Sequence, residues 1–197
     1  DLEAHSTFTK ITATATQIYG RIDILVNNGG ISQRSLAKDT LVAVDQKIME
    51  VNYFGTMNSI NSIYEYYNNK KSGQISIISS VAGYRGLPAA GGYCASKSAL
   101  TSFAESLHFE MKRVNVRVSL ISPGFIKTPM TDQNDFPMPM IKSPEFAAEQ
   151  IYIGLIKNKG FEIHFPKAFT FIMKTLRILP SSWYFKIVEK GMKKIDY

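Results

Sequence analysis

Residues 74–83, with the sequence QISIISSVAG, decide the fold. The first six residues form a short, mainly apolar run, which predicts a buried β-strand over residues 74–79. After the serine pair Ser79-Ser80, a helix is predicted over residues 91–113, where apolar residues recur at helical spacing. A buried strand that leads through a turn into a helix is the building unit of α/β proteins.

Three further strands are predicted along the chain. Residues 22–27 (IDILVN) form a short apolar run that Asn-Gly-Gly stops. Residues 114–121 (VNVRVSLI) form another, ended by Ser122-Pro123-Gly124, and residues 161–165 (FEIHF) form a last one. Two more helices are predicted, one at about 41–68 with Asp39 or Thr40 as N-cap, and one that starts at Ser143-Pro144.

Strands that alternate with helices predict βαβ units. We therefore expect an α/β fold of three layers, a doubly wound parallel sheet of the Rossmann type. Ligands of such sheets bind at the carboxyl ends of the strands. Residues 27–30, 79–80 and 123–128 all follow predicted strands and are the candidate positions for a site.

Composition and charge exclude several classes of protein. The 197 residues suffice for one domain with its own core, and we expect a single domain over residues 1–197. The only cysteine, Cys94, rules out an internal disulfide and a zinc cluster, and the three histidines are scattered, so no metal is expected. A reducing, cytoplasmic setting is the expectation that follows.

The net charge of +7 is placed unevenly, because the segment from Lys167 to the end carries +5 of it. The rest of the chain shows no basic groove interleaved with aromatic residues, so we expect no nucleic-acid partner. No apolar run reaches about 18 residues, the length that a transmembrane helix requires.

Tyr93 and Lys97 lie four residues apart on a predicted helix, so their side chains share one face. A nearby ammonium lowers the pKa of a tyrosine and makes it a useful general acid/base. The same spacing occurs twice more, at Tyr66/Lys70 and Tyr67/Lys71, at a predicted solvated helix end. Only Tyr93 has a serine turn upstream, at Ser80 after a buried strand.

Five motifs follow one another in a recognisable order and spacing. They are Asn27-Asn28-Gly29-Gly30, Val51-Asn52, Ile78–Gly83, Tyr93-Cys94-Ala95-Ser96-Lys97 and Ser122–Thr128. By these motifs the chain resembles the short-chain dehydrogenase/reductase family over residues 1 to about 155.

The resemblance implies a catalytic set of four residues. Tyr93 would be the acid/base on the substrate oxygen, and Ser80 would hydrogen-bond the substrate carbonyl or alcohol. Lys97 would lower the pKa of Tyr93 and hold the nicotinamide ribose. Asn52 would hold a water molecule in the proton relay.

The resemblance also implies NAD(P)(H) as cofactor. The turn formed by Asn28, Gly29 and Gly30 would pass under the adenosine side, where glycine permits close backbone approach. The remaining contacts would come from Asp1 on the adenine, from Tyr93 and Lys97, and from Pro123, Gly124, Ile126 and Thr128 around the nicotinamide.

The chain departs from the family pattern in two places. Gly29 stands where the family has alanine. The Thr-Gly-x-x-x-Gly-x-Gly loop that cradles the pyrophosphate is absent, and Asp1-Leu2 matches the end of the family's third strand. We therefore expect the first βαβαβ portion, roughly 60 residues at about 30 per βαβ unit, to precede Asp1. The preference for NAD or NADP is undetermined, because the residue that selects between them belongs to that portion.

The function implied is an NAD(P)-dependent oxidoreductase that interconverts a carbonyl and a secondary alcohol. Two alternatives stay open: an epimerase or dehydratase of the same family, and a non-catalytic cofactor-binding scaffold. The substrate is a small carbonyl or alcohol compound whose identity the variable loop 130–142 does not disclose. A homodimer or homotetramer is expected through the helices at 41–68 and 91–112.

Residues 168–197 form a basic, amphipathic C-terminal extension that Pro180 divides into two short helices. One interpretation is a lid or a helix packed on the domain, with solvated lysines. The other is peripheral contact with an anionic membrane. Both can hold together if the substrate is lipid-like.

Overall fold

The computed structural model describes residues 5–34, 42–157 and 160–191. Within these ranges a sheet of four parallel strands runs in the order β1-β2-β3-β4. The strands are β1 (Ile24–Asn27), β2 (Gly73–Ile78), β3 (Val116–Pro123) and β4 (Glu162–Phe165). The parallel sheet and the four strand positions confirm the predicted Rossmann-like α/β class.

Helices flank the sheet on both faces. They are α1 (His5–Tyr19), α2 (Val42–Met49), α3 (Gly55–Lys70), α4 (Gly91–Lys112), α5 (Pro144–Ile156), α6 (Lys167–Ile178) and α7 (Ser181–Gly191). A π-helical turn at Glu50–Phe54 joins α2 to α3, and a single 3-10 turn spans Val81–Gly83. Ser143 caps α5 as predicted, its hydroxyl accepting from the Phe146 N–H.

The two faces of the sheet bury different residues because side chains alternate along a strand. On one face, Ile75, Ile77 and Val118 pack against α3 and α4. On the other, Ile121 and Ile163 pack against α5. This alternation puts the short apolar strands at the centre of three layers.

Several details differ from the sequence expectations. Strand β1 is at the edge of the described sheet and is only partly buried, with Val26 43% exposed, whereas a buried strand was predicted. The predicted helix 41–68 is interrupted by the π-helical turn. Helix α1 was not predicted; it packs against α3. The candidate caps Asp39 and Thr40 lie outside the described residues.

The two pairs that imitate Tyr93/Lys97 do not form a solvated helix end, so that prediction was wrong. Tyr67 is fully buried in the core, where its ring occupies the space beside Gly73. The Tyr66 hydroxyl accepts a hydrogen bond from the Ile22 N–H at 2.9 Å. Lys70 forms an ion pair with Asp23 at 3.0 Å. Tyr66 therefore ties α3 to the residues just before β1, and Tyr67 packs α3 against the start of β2.

Candidate functional site

The candidate site lies at the carboxyl edge of the sheet, where β1, β2 and β3 end beside one another. Strand β2 leads into Ser79-Ser80, and the following turn carries the chain to α4, whose first two turns bear Tyr93 and Lys97. One strand–turn–helix unit therefore contains three of the four residues predicted as catalytic, and Asn52 comes from the π-helical turn. Within the described residues, no cluster of three or more metal-ligating side chains occurs.

Ser80 caps the 3-10 turn and faces Tyr93. Its backbone is extended, and its hydroxyl accepts from the Ala82 N–H at 3.1 Å. Burial raises the pKa of Tyr93, and the hydrogen bond between its hydroxyl and the Ser80 side chain opposes that rise. The phenol of Tyr93 and the alcohol of Ser80 are thus neighbours at the carboxyl edge of the sheet.

Lys97 is a buried cation, with 5% of its surface exposed. Its ammonium donates to the Ile78 carbonyl at 2.9 Å, which is the end of β2. Burial lowers the pKa of Lys97 to about 8. An ammonium has three N–H donors, so two of them find no hydrogen-bond acceptor among the described residues.

The expected effect of Lys97 on Tyr93 differs from what the structure gives. The Lys97 ammonium lies 5.7 Å from the centre of the Tyr93 ring. The pKa of Tyr93 is raised, not lowered, because burial of the phenol is the largest influence on it. The four-residue spacing correctly predicts that the two side chains are neighbours, but it does not predict how burial affects the pKa of Tyr93.

Asn52 is fully buried in the π-helical turn, and its amide is already engaged. It accepts from the Ile31 N–H at 2.7 Å and donates to the Ile31 carbonyl at 2.9 Å. It also donates to the Ser96 hydroxyl at 3.0 Å, and that hydroxyl donates to the Tyr93 carbonyl. The side chain therefore ties the segment after β1 to the first turn of α4.

A second group of residues positions α4, and the sequence did not reveal it. Ser79 donates to the Lys97 carbonyl at 2.9 Å and contacts the Thr101 hydroxyl at 3.1 Å. A Cβ atom on Gly83 would lie 2.8 Å from the Lys97 carbonyl oxygen, so the turn closes on the helix only with glycine there. The Ser-Ser-x-x-Gly pattern was the available signal, but only Ser80 was singled out from it.

The turn after β1 closely approaches Asn52 and Lys97. Asn28 and Gly29 are exposed. A Cβ atom on Gly30 would lie 3.2 Å from the Asn52 side-chain oxygen and 3.5 Å from the Lys97 nitrogen. The absence of a side chain at Gly30 therefore leaves room directly above Lys97.

The segment after β3 is the third side of the site. Pro123 is the last residue of β3, and Gly124 donates to the Phe165 carbonyl at 2.7 Å. Ile126 forms a bridge with Lys142, and the Thr128 N–H donates to the Thr131 hydroxyl at 2.9 Å. Asp1, the remaining predicted cofactor contact, lies outside the described residues.

A charged network beside this segment was not anticipated from the sequence. The Glu162 carboxylate accepts from Tyr84 at 2.5 Å, from Ser122 at 2.8 Å and from Lys174 at 2.6 Å. Burial alone would raise the pKa of Glu162, but the hydrogen bonds from Lys174, Tyr84 and Ser122 outweigh it and lower that pKa. The Glu162 carboxylate of β4 thus links Tyr84, just after the 3-10 turn, to β3 and α6.

A groove of about 600 Å³ lies elsewhere, between α2 and the start of α4. Val42, Met49 and Phe54 line one side of it, and Gly91 and Gly92 belong to the other. None of Ser80, Tyr93 and Lys97 contributes to its lining. The groove is therefore distinct from the site at the sheet edge.

Comparison with known proteins supplies the family. The family model described as short chain dehydrogenase matches residues 1–137. The chain belongs to the short-chain dehydrogenase family. That match contains the residues that form the site, from the turn after β1 to the segment after β3.

Two curated relatives of the chain carry dehydrogenase/reductase names. The "Dehydrogenase/reductase SDR family protein 7-like" of Drosophila melanogaster is 34% identical over 207 aligned positions, which cover 100% of this chain and 63% of that protein. The "Dehydrogenase/reductase SDR family member 7B" of Mus musculus is 40% identical over 128 residues, or 65% of this chain and 40% of that protein. The chain thus spans about two fifths to three fifths of their lengths.

A solved structure shares the fold of this family member. It is a short chain dehydrogenase from Burkholderia cenocepacia in complex with NADP, and it matches with a TM-score of 0.82 at 23% identity. The match covers 95% of this chain and 76% of that one. At this identity the likeness concerns the architecture, which is the doubly wound sheet described above.

Proposed function

We propose that this chain provides the proton-transfer site of an NAD(P)(H)-dependent oxidoreductase that interconverts a carbonyl and a secondary alcohol. The observation that carries the proposal is the contact between Ser80 and Tyr93 beside the buried ammonium of Lys97. The names of the two curated relatives agree with it, as does the NADP in the Burkholderia structure. Whether the cofactor is NAD or NADP stays open.

The residues at the sheet edge fit such a cofactor. Lys97 is a buried cation with spare N–H donors, which suits the hydroxyl groups of a ribose. Gly30 keeps the space above that cation free of a side chain. Asn28, Gly29, Pro123, Gly124, Ile126 and Thr128 surround the same edge. The cofactor, when bound, supplies the hydride chemistry.

The chain's own residues would orient the substrate and move the proton. Ser80 would donate to the substrate oxygen and hold it beside the Tyr93 hydroxyl. Tyr93 would then give the proton to that oxygen in reduction and take it back in oxidation. A ligand that bridges Lys97 and Tyr93 would bring the ammonium's charge to bear on the phenol and lower its raised pKa.

Asn52 would act by holding the site together. Its side-chain amide already forms hydrogen bonds with Ile31 and Ser96, so a relay water would have to hydrogen-bond to a different group. In this role Asn52 fixes the distance between the turn after β1 and the first turn of α4.

The experiment is oxidation of NADPH and NADH by the purified protein across a panel of aldehydes and ketones. Tyr93→Phe should lower kcat by at least about 100-fold, because general acid catalysis contributes roughly that much or more. Tyr66→Phe is the matched control, since Tyr66 has the same spacing to a lysine but its hydroxyl accepts from the Ile22 backbone N–H. Retention of most of the wild-type rate by Tyr93→Phe would defeat the proposed mechanism.

The same assay separates the alternatives. Turnover of a nucleotide sugar without net oxidation of cofactor would indicate an epimerase or dehydratase. Binding of NADPH or NADH, measured by fluorescence, with no turnover of any substrate would indicate a non-catalytic scaffold. Both outcomes would overturn the oxidoreductase assignment.

Domain organisation and assembly are proposed on the family resemblance. We expect residues 1–197 to act as part of one catalytic domain and the protein to form a homodimer or homotetramer in the cytoplasm. Exposed apolar side chains at Val42 and Phe54, beside the groove between α2 and α4, are consistent with a partner there. Light scattering of wild-type protein and Phe54→Ser would test this, and a monomeric wild type would exclude it.

A further inference from the structure

Helix α6 buries some of its apolar side chains and exposes others. Its inner side buries Phe169 and Met173 against the 3-10 turn and the segment after β3. Its outer side exposes Phe171, Ile172 and Ile178, the last with 81% of its surface exposed. The Phe171 ring packs edge-on against His164, with 5.4 Å between the ring centroids. A helix that only packs on a domain needs one buried apolar stripe, so the exposure of Ile172 and Ile178 is not required by the packing of α6.

Helix α7, which follows α6 directly, also exposes large apolar side chains. Tyr184 points inward and is buried, while Trp183, Phe185 and Ile187 are exposed. Trp183 is the only tryptophan of the chain, and 63% of it is exposed. Together with α6 this gives six large exposed apolar side chains within 17 consecutive residues, more than scattered surface residues account for.

Cations border this apolar surface. Lys167, Arg177, Lys186 and Lys190 are exposed, and Glu189 is the only acid between residues 167 and 191. On α7, Lys186 and Lys190 follow Trp183 at intervals of three and seven residues, which places them on the same flank of the helix. Exposed tryptophan and lysine side chains on one side of a helix are typical of helices that lie in a membrane interface.

The corner between the two helices is held by one arginine. Arg85 donates to the carbonyls of Leu176 and Leu179, both at 2.8 Å, and its guanidinium stacks on Tyr184 at 4.0 Å. The Tyr184 hydroxyl donates back to the Gly86 carbonyl. The surface is therefore preformed, so little ordering is required when it binds.

We propose that the exposed sides of α6 and α7 form a docking surface for membranes that contain anionic phospholipids. The apolar side chains would enter the acyl boundary, and the four cations would meet the headgroup phosphates. A second copy of this chain fits less well, because a two-fold contact would place the same cations against one another. The inference concerns where the protein sits and does not depend on the proposed chemistry.

The single tryptophan reports on this surface directly. Vesicles of phosphatidylcholine mixed with phosphatidylserine should shift the emission of Trp183 to the blue, and bromine on the acyl chains should quench it. Vesicles of phosphatidylcholine alone should bind at least about ten-fold more weakly, because the headgroup attraction is lost. Unchanged emission with anionic vesicles would overturn the proposal.

Variants distinguish the apolar and the cationic contributions in co-sedimentation with anionic vesicles. Ile178→Ser with Phe171→Ser should lower the bound fraction at least about ten-fold, while Tyr19→Ser, an exposed residue of α1, should not. Lys186→Glu with Lys190→Glu should also abolish binding, and Lys10→Glu should leave it unchanged. Equal loss in the control variants would contradict a specific surface.

A soluble occupant gives a different result. If light scattering shows self-association that Ile178→Ser with Phe171→Ser removes, and vesicles do not sediment the wild type, the surface is an interface between copies and the membrane proposal fails.

Discussion

A single methyl group at Gly83 should damage the site from a distance. The Cβ of Gly83→Ala would lie 2.8 Å from the Lys97 carbonyl oxygen and 2.9 Å from the Ser79 hydroxyl. These distances are about half an ångström short of ordinary contact. The carbonyl belongs to the backbone of α4, so it cannot rotate away, and the helix that carries Tyr93 must shift relative to Ser80.

The magnitude follows from the overlap. Overpacking of this kind costs about 1–3 kcal/mol of the free energy of unfolding. A displacement of about half an ångström between catalytic groups should lower kcat by roughly ten-fold, since about 1 Å costs on the order of 100-fold. Urea denaturation measures the first quantity, and NADPH oxidation measures the second.

Gly86→Ala is the matched control in the same turn. A Cβ on Gly86 meets no atom within 4 Å, so this variant should gain about 0.4–1 kcal/mol from the lower entropy of its unfolded chain. If Gly83→Ala unfolds at the same urea concentration as Gly86→Ala, the close packing of the turn on α4 is refuted.

Two predictions concern titrating groups. Burial lowers the pKa of Lys97 from 10.5 to about 8, so below pH 8 the folded protein bears the full cost of burying the charged ammonium. As the pH rises from 8 towards 10.5 the buried amine loses its proton and this cost disappears. The free energy of unfolding should therefore rise by up to about 3 kcal/mol over this window. Lys97→Met should lack that rise in urea titrations at successive pH values, and an equal rise in both proteins would contradict the burial. Glu162→Gln should cost about 1.5–3 kcal/mol, because a charged acceptor of three hydrogen bonds becomes neutral. Because the pKa of Glu162 is lowered, the ionised carboxylate stabilises the fold above pH 4.5, and this stabilisation is lost on acidification. The free energy of unfolding of Glu162→Gln should therefore fall less steeply on acidification than that of the control Glu105→Gln.

The strands were the most predictable part of the fold. The run QISIIS is short, apolar and followed by small polar residues, and the observed strand β2 differs from the prediction by one residue at each end. Strand β3 begins and ends two residues later than predicted, and it reaches Pro123 because Gly124 still pairs with Phe165 of β4. Such pairing is a property of the neighbouring strand and is absent from the local sequence.

The residues of the candidate site could be proposed from the sequence, whereas their electrostatic environment could not. Ser80, Tyr93 and Lys97 could be selected because a strand, a turn and a helix face fix their order. The raised pKa of Tyr93 depends on its burial, and the Glu162 network includes contacts with Tyr84 and Ser122, which lie 78 and 40 positions away. No local pattern encodes these contacts, so only the folded chain reveals them.

The three Tyr-x-x-x-Lys pairs show what spacing leaves undetermined. The Tyr66 hydroxyl accepts from a backbone N–H, and the Tyr67 hydroxyl donates to the Gln74 carbonyl at 3.4 Å. The Tyr93 hydroxyl instead meets a serine hydroxyl at the open edge of the sheet. A phenol bound to backbone stabilises the fold, whereas a phenol bound to an alcohol beside a buried cation can exchange a proton with a third group. The residues across from the helix face therefore decide what each tyrosine hydroxyl binds, and on this ground we propose Tyr93, not Tyr66 or Tyr67, as the acid/base.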